Sequence, residues 1–103
     1  MVSLDPVVGS EVGKSRPAVV IQNELANRSG QTVTVVPLSS RTARVFPFQV
    51  LIPAGEGGLG RDSKALCEQI RTVSRTLLRE RLGTLDAQRV DEIRQALDRH
   101  LWF

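Results

Sequence analysis

The residues around Pro17 constrain this chain more than any other stretch. Proline has no N–H to donate and biases the residue before it toward extended backbone, so Arg16 reads as the entrance of a strand. The run behind it, Ala18-Val19-Val20-Ile21, is apolar and largely β-branched, as a buried strand requires, and it delivers Gln22 and Asn23 at its far end. That strand removes a tempting alternative. Gly13-Lys14-Ser15 could close a phosphate-binding loop of the form G-x-x-x-x-G-K-[ST], but its first glycine would have to be residue 8, which is Val8. Such a loop also opens a helix at its Lys-Ser, where this chain turns into a strand.

The rest of the sequence continues in short extended pieces. Asn27-Arg28-Ser29-Gly30 is a turn cluster, and residues 32–38 are rich in Thr and Val, a second strand with Pro37 marking an edge or bulge near its end. Ser39 and Ser40 then fall just past a strand end, where side chains are free to meet a ligand. Arg41-Thr42-Ala43-Arg44 reads as a solvated basic loop, and residues 46–52 as a strand interrupted by Pro47. Residues 53–62 are glycine-rich. Gly55, Gly57 and Gly60 satisfy G-x-G-x-x-G, but no strand–helix–strand unit surrounds them, so a flexible hairpin loop is expected. Alternation over residues 63–70 predicts one more strand, with Cys67 as a small buried hydrophobe rather than a nucleophile. Ser74 is placed to cap a short helix over residues 75–81 that Gly83 ends. Asp86 opens a longer amphipathic helix to residue 100, with Val90, Ile93, Ala96, Leu97 and Leu101 along one face. Strands first and helices last predict a small α+β domain with a barrel-like sheet, one domain over residues 1–103.

Composition narrows the partners. No apolar run reaches the roughly 18 residues of a membrane span, and no signal peptide is visible. A single cysteine allows no internal disulfide, which suits the cytoplasm. Net charge is only +3, yet 12 of the 14 basic residues are Arg, whose planar fork favours phosphates and bases. A GC-rich genome explains that bias equally well.

In order along nearly the whole chain, the residues also resemble a known family. They are Asp5-Pro6-Val7-Val8-Gly9-Ser10-Glu11, Gly13-Lys14-Ser15-Arg16-Pro17, Val20-Ile21-Gln22-Asn23 with Asn27-Arg28, Val36-Pro37-Leu38-Ser39-Ser40, Phe46-Pro47-Phe48, Asp62-Ser63 and Glu68-Gln69-Ile70-Arg71-Thr72-Val73. This pattern is similar to the MazF/PemK-type toxins of bacterial type II toxin–antitoxin modules. The resemblance implies an SH3-like β-barrel of about five strands with a short helix and a C-terminal amphipathic helix. Members usually extend further at the N-terminus, with a Gly-Asp pair, so residues 1–4 read as the tail of a strand that starts late.

The resemblance further implies a homodimer, a cognate antitoxin with an acidic disordered tail, and a sequence-specific, metal-independent endoribonuclease acting on single-stranded RNA. Such an enzyme uses the ribose 2′-OH as nucleophile and leaves a 2′,3′-cyclic phosphate and a 5′-OH. The residues are compatible with that chemistry. Histidine pairs are the usual acid and base, but His100 is alone, near a helix end, and the carboxylates are scattered rather than clustered for a metal. Arg16 with small hydroxyls remains. From the residues alone, a structural ion pair with Glu11 is the simpler account of Arg16. The resemblance instead places Arg16, Ser39 and Glu11 at catalytic positions, and Lys14, Asn23, Ser40 and Gln69 at substrate-binding positions. No cofactor is expected. A related toxin of the same fold, CcdB, poisons gyrase without catalysis, and the Trp102-Phe103 ending is compatible with that alternative. A peptide-binding adaptor is not, because the chain has no Tyr and few other aromatics.

Overall fold

The computed structural model describes residues 7–11, 16–21 and 30–101. These form strands β1 (Val7–Glu11), β2 (Pro17–Val20), β3 (Thr32–Ser39), β4 (Gln49–Ile52), β5 (Ser63–Leu66), β6 (Arg71–Ser74) and β7 (Leu78–Thr84), followed by helix α1 (Ala87–Leu101). Every ladder is antiparallel. The path runs β4-β5-β3-β2-β1-β7, with β6 paired to β3 as well. Seven strands replace the expected five or so. Among the described residues no ladder joins β7 to β6 or to β4, so the sheet is an open path and not a barrel closed by hydrogen bonds.

Two further expectations are corrected by strand pairing. Residues 63–70 do not form one strand: β5 ends at Leu66, and a 3-10 turn at Cys67–Gln69 precedes β6. Leu38 pairs with Ala65. Had that register continued, Val35 would meet Glu68, but it meets Arg71, three residues further on. The turn is therefore three residues extruded from a strand that otherwise follows β3 along its length. Residues 75–81 are not a helix either. Only a 3-10 turn at Arg75–Leu77 remains, and β7 follows it. Leu, Arg and Glu are good helix formers, but β1 has a free edge that this segment pairs along, and tertiary pairing outweighs a weak local preference.

The sheet is apolar on both faces. Val19 of β2 joins Val8, Val36, Leu38, Ile52, Ala65 and Cys67 in the main core, while its neighbours Ala18 and Val20 face a second cluster with Val33 and Val35. Helix α1 covers the main core with buried Ile93 and Ala96, and half-buried Val90 and Leu97 flank them. Leu101 is 54% exposed, so the buried stripe stops before the last turn. The helix starts where expected, with the Asp86 carboxylate accepting the Arg89 N–H at 2.9 Å. No helix among the described residues is long and apolar enough to cross a membrane.

The glycine-rich segment is packed against β1 and β7, which corrects the expectation of a flexible loop. A 3-10 turn at Glu56–Gly58 lies so close to β7 that a Cβ on Gly58, at φ +77°, would sit 2.1 Å from the Leu82 carbonyl oxygen. A Cβ on Gly83 would meet Gly57 backbone at 2.6 Å. Arg89 holds the same turn from α1: its Nε and Nη2 each donate to the Glu56 carboxylate at 2.8 Å, and Nη1 donates to the Leu51 carbonyl at 3.1 Å and to Glu92. The hydrogen bond to Glu56 raises the Arg89 pKa, against the opposing effect of burial.

Gly58→Ala should destabilise the fold by roughly 1–3 kcal/mol, because both backbone angle and space forbid a side chain there. Gly60→Ala, with nothing near its added carbon, should change the urea midpoint little. Cys67 is wholly buried, and burial, then the charge of Glu68, pushes its thiol up to about 12. An aromatic disulfide reagent at pH 8 should leave the native protein unlabelled and react fully once urea unfolds it. Rapid labelling of the native state would contradict the burial.

Candidate functional site

One end of β2 and β3 opens into a groove of about 680 Å³. Pairing explains why Arg16 and Ser39 meet there. Ala18 faces Pro37 across the β2–β3 ladder, and that register carried two positions further would set Arg16 against Ser39, both of which line the groove. On the other side the β1–β2 ladder ends with Ser10 facing Pro17, and that register carried one position further would set Glu11 against Arg16. Arg16 thus sits between two neighbouring strand ends, a consequence of the proline that starts β2.

Arg16, Ser39, Ser40 and Gln69 all line the groove. Ser39 is half-buried, and its Oγ accepts the Arg41 N–H at 3.1 Å, which fixes the turn after β3 while leaving the hydroxyl hydrogen able to donate. Gln69 arrives on the extruded turn between β5 and β6. Glu11 is placed by its backbone at the end of β1, where its Cα partner is Leu78 of β7; its side chain lies outside the described residues. Lys14 and Asn23 lie outside them altogether, as do Trp102 and Phe103.

The structure adds three cations to the site. Arg41, Arg61 and Arg71 line the groove with Arg16, and among the described residues no carboxylate does so. Arg41 belongs to the segment read from sequence as a solvated basic loop. Arg61 and Arg71 bracket β5 and the extruded turn; Arg71 stands in the family segment Glu68-Gln69-Ile70-Arg71-Thr72-Val73 without a role assigned to it, and no local motif marks Arg61. The bias toward arginine was the available signal, but it carries no positions. Leu38, Leu59 and Leu66, with Pro17 and Pro37, supply apolar wall. Four guanidinium groups beside an apolar wall favour a polyanion whose phosphates they grip and whose bases can rest on the wall.

Behind Gln69, Glu68 forms a polar connection that sequence reasoning did not find. Its Oε2 accepts from the buried Gln49 Nε2 at 2.8 Å, and Gln49 Oε1 accepts the Phe46 N–H at 3.1 Å. The other carboxylate oxygen, Oε1, is buried without a hydrogen-bond partner among the described residues. This connection ties the turn before β4 to the turn that carries Gln69. Among the described residues no three His, Cys, Asp or Glu side chains stand together as metal ligands.

Comparison with known proteins places this geometry in a family. Residues 1–101 match the model of the PemK-like, MazF-like toxins of type II toxin-antitoxin systems. The chain is 44% identical over 105 residues to Endoribonuclease MazF9 of Mycobacterium tuberculosis, a match covering 97% of this chain and 89% of that protein. It is 40% identical over 95 residues to Endoribonuclease EndoA of Bacillus subtilis, covering 91% and 82%. Among solved structures, a MazE-MazF crystal structure from Deinococcus radiodurans superposes with a TM-score of 0.77 at 27% identity, over 96% of this chain and 92% of that one. The toxin MazF-mt6 of M. tuberculosis, at 24% identity and a TM-score of 0.81, covers 92% of this chain and 94% of its own, and shares the fold. With the family model matched over almost its whole length, the chain belongs to the PemK-like, MazF-like toxins of type II toxin-antitoxin systems.

Proposed function

We propose that this chain is the toxin of a toxin–antitoxin pair and a sequence-specific endoribonuclease that cuts single-stranded RNA without a metal. The observation that carries this reading is the groove that Arg16 and Ser39 line together with Arg41, Arg61 and Arg71. Relatives that match over most of their length are named endoribonucleases, which supports the same reading. The family and the sequence it shares with those nucleases favour catalysis over a gyrase-poisoning role.

The ribose 2′-oxygen attacks the adjacent phosphorus, the new O2′–P bond forms as the P–O5′ bond breaks, and the 2′-hydroxyl proton leaves while the 5′-oxygen gains one. The products are a 2′,3′-cyclic phosphate and a 5′-OH. A guanidinium is a fixed charge rather than a base, so Arg16 stabilises the negative charge that grows on the phosphoryl oxygens. The Ser39 hydroxyl donates to one of those oxygens and orients it. Glu11, at the register position beside Arg16, is the proton acceptor on this scheme, while Lys14, Asn23, Ser40 and Gln69 hold the flanking nucleotides. Charge on phosphorus is met by arginine, so the scheme needs no metal.

The same reading includes an SH3-like arrangement of the strands, a homodimer, an antitoxin partner and a cytoplasmic setting. A neighbouring fold solved as a MazE-MazF complex supports the antitoxin. An acidic, disordered tail suits a groove lined by four arginines, because it would occupy the phosphate positions.

Incubation with a long RNA in EDTA, with mapping of product ends, tests the reaction. Arg16→Ala should lower the cleavage rate about 10²- to 10³-fold, the loss typical of a preorganised charge contact. Ser39→Ala should cost less, and RNA carrying 2′-deoxy at the cleavage position should not be cut, because the nucleophile is gone. Cleavage of the deoxy substrate, or full activity in Arg16→Ala, would sink the mechanism. Light scattering at micromolar concentration should report a dimer burying about 2,000 Å² or more, and an acidic-tailed antitoxin should compete with RNA for it. A monomer, or an antitoxin that leaves cleavage untouched, would remove those parts of the reading.

A further inference from the structure

Arg89 makes more hydrogen bonds than any single surface contact needs, and none of them is in the groove. Its guanidinium binds both oxygens of Glu56, the carbonyl of Leu51 and the carboxylate of Glu92, so it joins α1 to β4 and to the turn at Glu56–Gly58. That turn begins a segment whose other end is functional: Leu59, Gly60 and Arg61 form one wall of the groove. Between the two ends the segment is internally tied. The Gly55 N–H donates to the Leu59 carbonyl at 2.8 Å, and the Ala54 N–H donates to Asp62 Oδ1 at 2.8 Å. The Ser63 hydroxyl donates to the Arg61 carbonyl at 3.1 Å. Residues 54–62 are therefore tied to one another, and they are anchored to the rest of the fold by buried Leu59, by the close glycine packing on β7 and by the Arg89 clamp.

We propose that Arg89 is a positioning residue for substrate: through Glu56 it sets the groove wall so that the Arg61 guanidinium meets a phosphate of the bound RNA. This rests on the ribonuclease reading above and adds to it a contact and a remote residue that controls it. Arg16 and Ser39 lie on other elements, β2 and β3, so loss of the clamp should weaken binding and leave the chemical step in place. A Glu56→Gln change keeps the size of the side chain and removes its charge, which loosens the clamp with little risk to folding.

The test uses the full chain and a single-stranded RNA that contains a mapped cleavage site. Binding is read by fluorescence anisotropy across a salt series, with 2′-deoxy at the cleavage position to prevent cutting; KM and kcat are read on the all-ribose RNA. Wild type, Arg89→Ala, Glu56→Gln, Arg61→Ala and the Arg89→Ala/Arg61→Ala double variant are compared. Arg89→Ala and Arg61→Ala should each weaken binding roughly five- to tenfold and raise KM alike, with kcat nearly unchanged, as for loss of one phosphate contact. Glu56→Gln should move in the same direction by less. The double variant should bind no more weakly than Arg61→Ala, because both changes remove the same contact. The plot of log affinity against log salt should become shallower by about 0.7 in Arg61→Ala, Arg89→Ala and the double variant. Multiplied losses in the double variant would overturn the proposal, as would a kcat loss with KM unchanged, or wild-type affinity in both Arg89→Ala and Glu56→Gln. Each of those results requires a wild type that cuts the RNA; a wild type that neither binds nor cuts it overturns the ribonuclease reading first, and the positioning role with it.

Discussion

Strand β3 is the member on which the rest of this structure depends. It pairs with β2 on one side and, on the other, with β5 over its last residues and β6 over its first. The backbone of a strand shared by three partners has little freedom, and its side chains are buried on both faces of the sheet: Val33 and Val35 in one cluster, Val36 and Leu38 in the other. The three-residue slip between β5 and β6 is absorbed where the two partners meet. The extruded turn buries Cys67, engages Glu68 with Gln49 and brings Gln69 to the groove. One irregularity in one ladder thus links the core to the site.

The groove is a matter of charge placed on rigid backbone. Arg16 enters on β2, Arg71 on β6, Arg41 on the turn that Ser39 holds, and Arg61 on the segment tied by Gly55, Asp62 and Arg89. Like charges gathered in this way repel one another, and a bound polyanion relieves that repulsion. On the proposed reading such a surface suits phosphate, and neutral groups such as Ser40 and Gln69 are left to distinguish nucleotides.

Helix α1 serves both the core and the site, by different faces. Ile93 and Ala96 close the main cluster, whereas Arg89, near its first turn, reaches the turn at Glu56–Gly58. Glycine matters on the opposite side of that contact, since Gly58 and Gly83 let backbone approach backbone with no side chain between. Bidentate pairing from the helix and close packing on β7 together convert a glycine-rich stretch into a firm element.

What the sequence determined by itself was local or carried by resemblance. Pro17 and the β-branched run behind it specified the β2 entrance, Asp86 specified the start of α1, and the spacing of Val90, Ile93, Ala96 and Leu97 specified its buried face. The family pattern pointed to Arg16, Ser39, Ser40 and Gln69, which share the groove. Tertiary structure alone decided the rest. Residues 75–81 have the composition of a helix yet form a 3-10 turn and the start of β7, because β1 offered an edge whose hydrogen bonds outweigh a weak propensity. The slip of three residues between β5 and β6 is invisible to alternation, which records the face of a strand and not its partner. Arg41 and Arg61 looked like any solvated arginines, and Arg71 stood in the family pattern with no role, because a groove exists only once distant segments are brought side by side, and no spacing along the chain encodes that meeting.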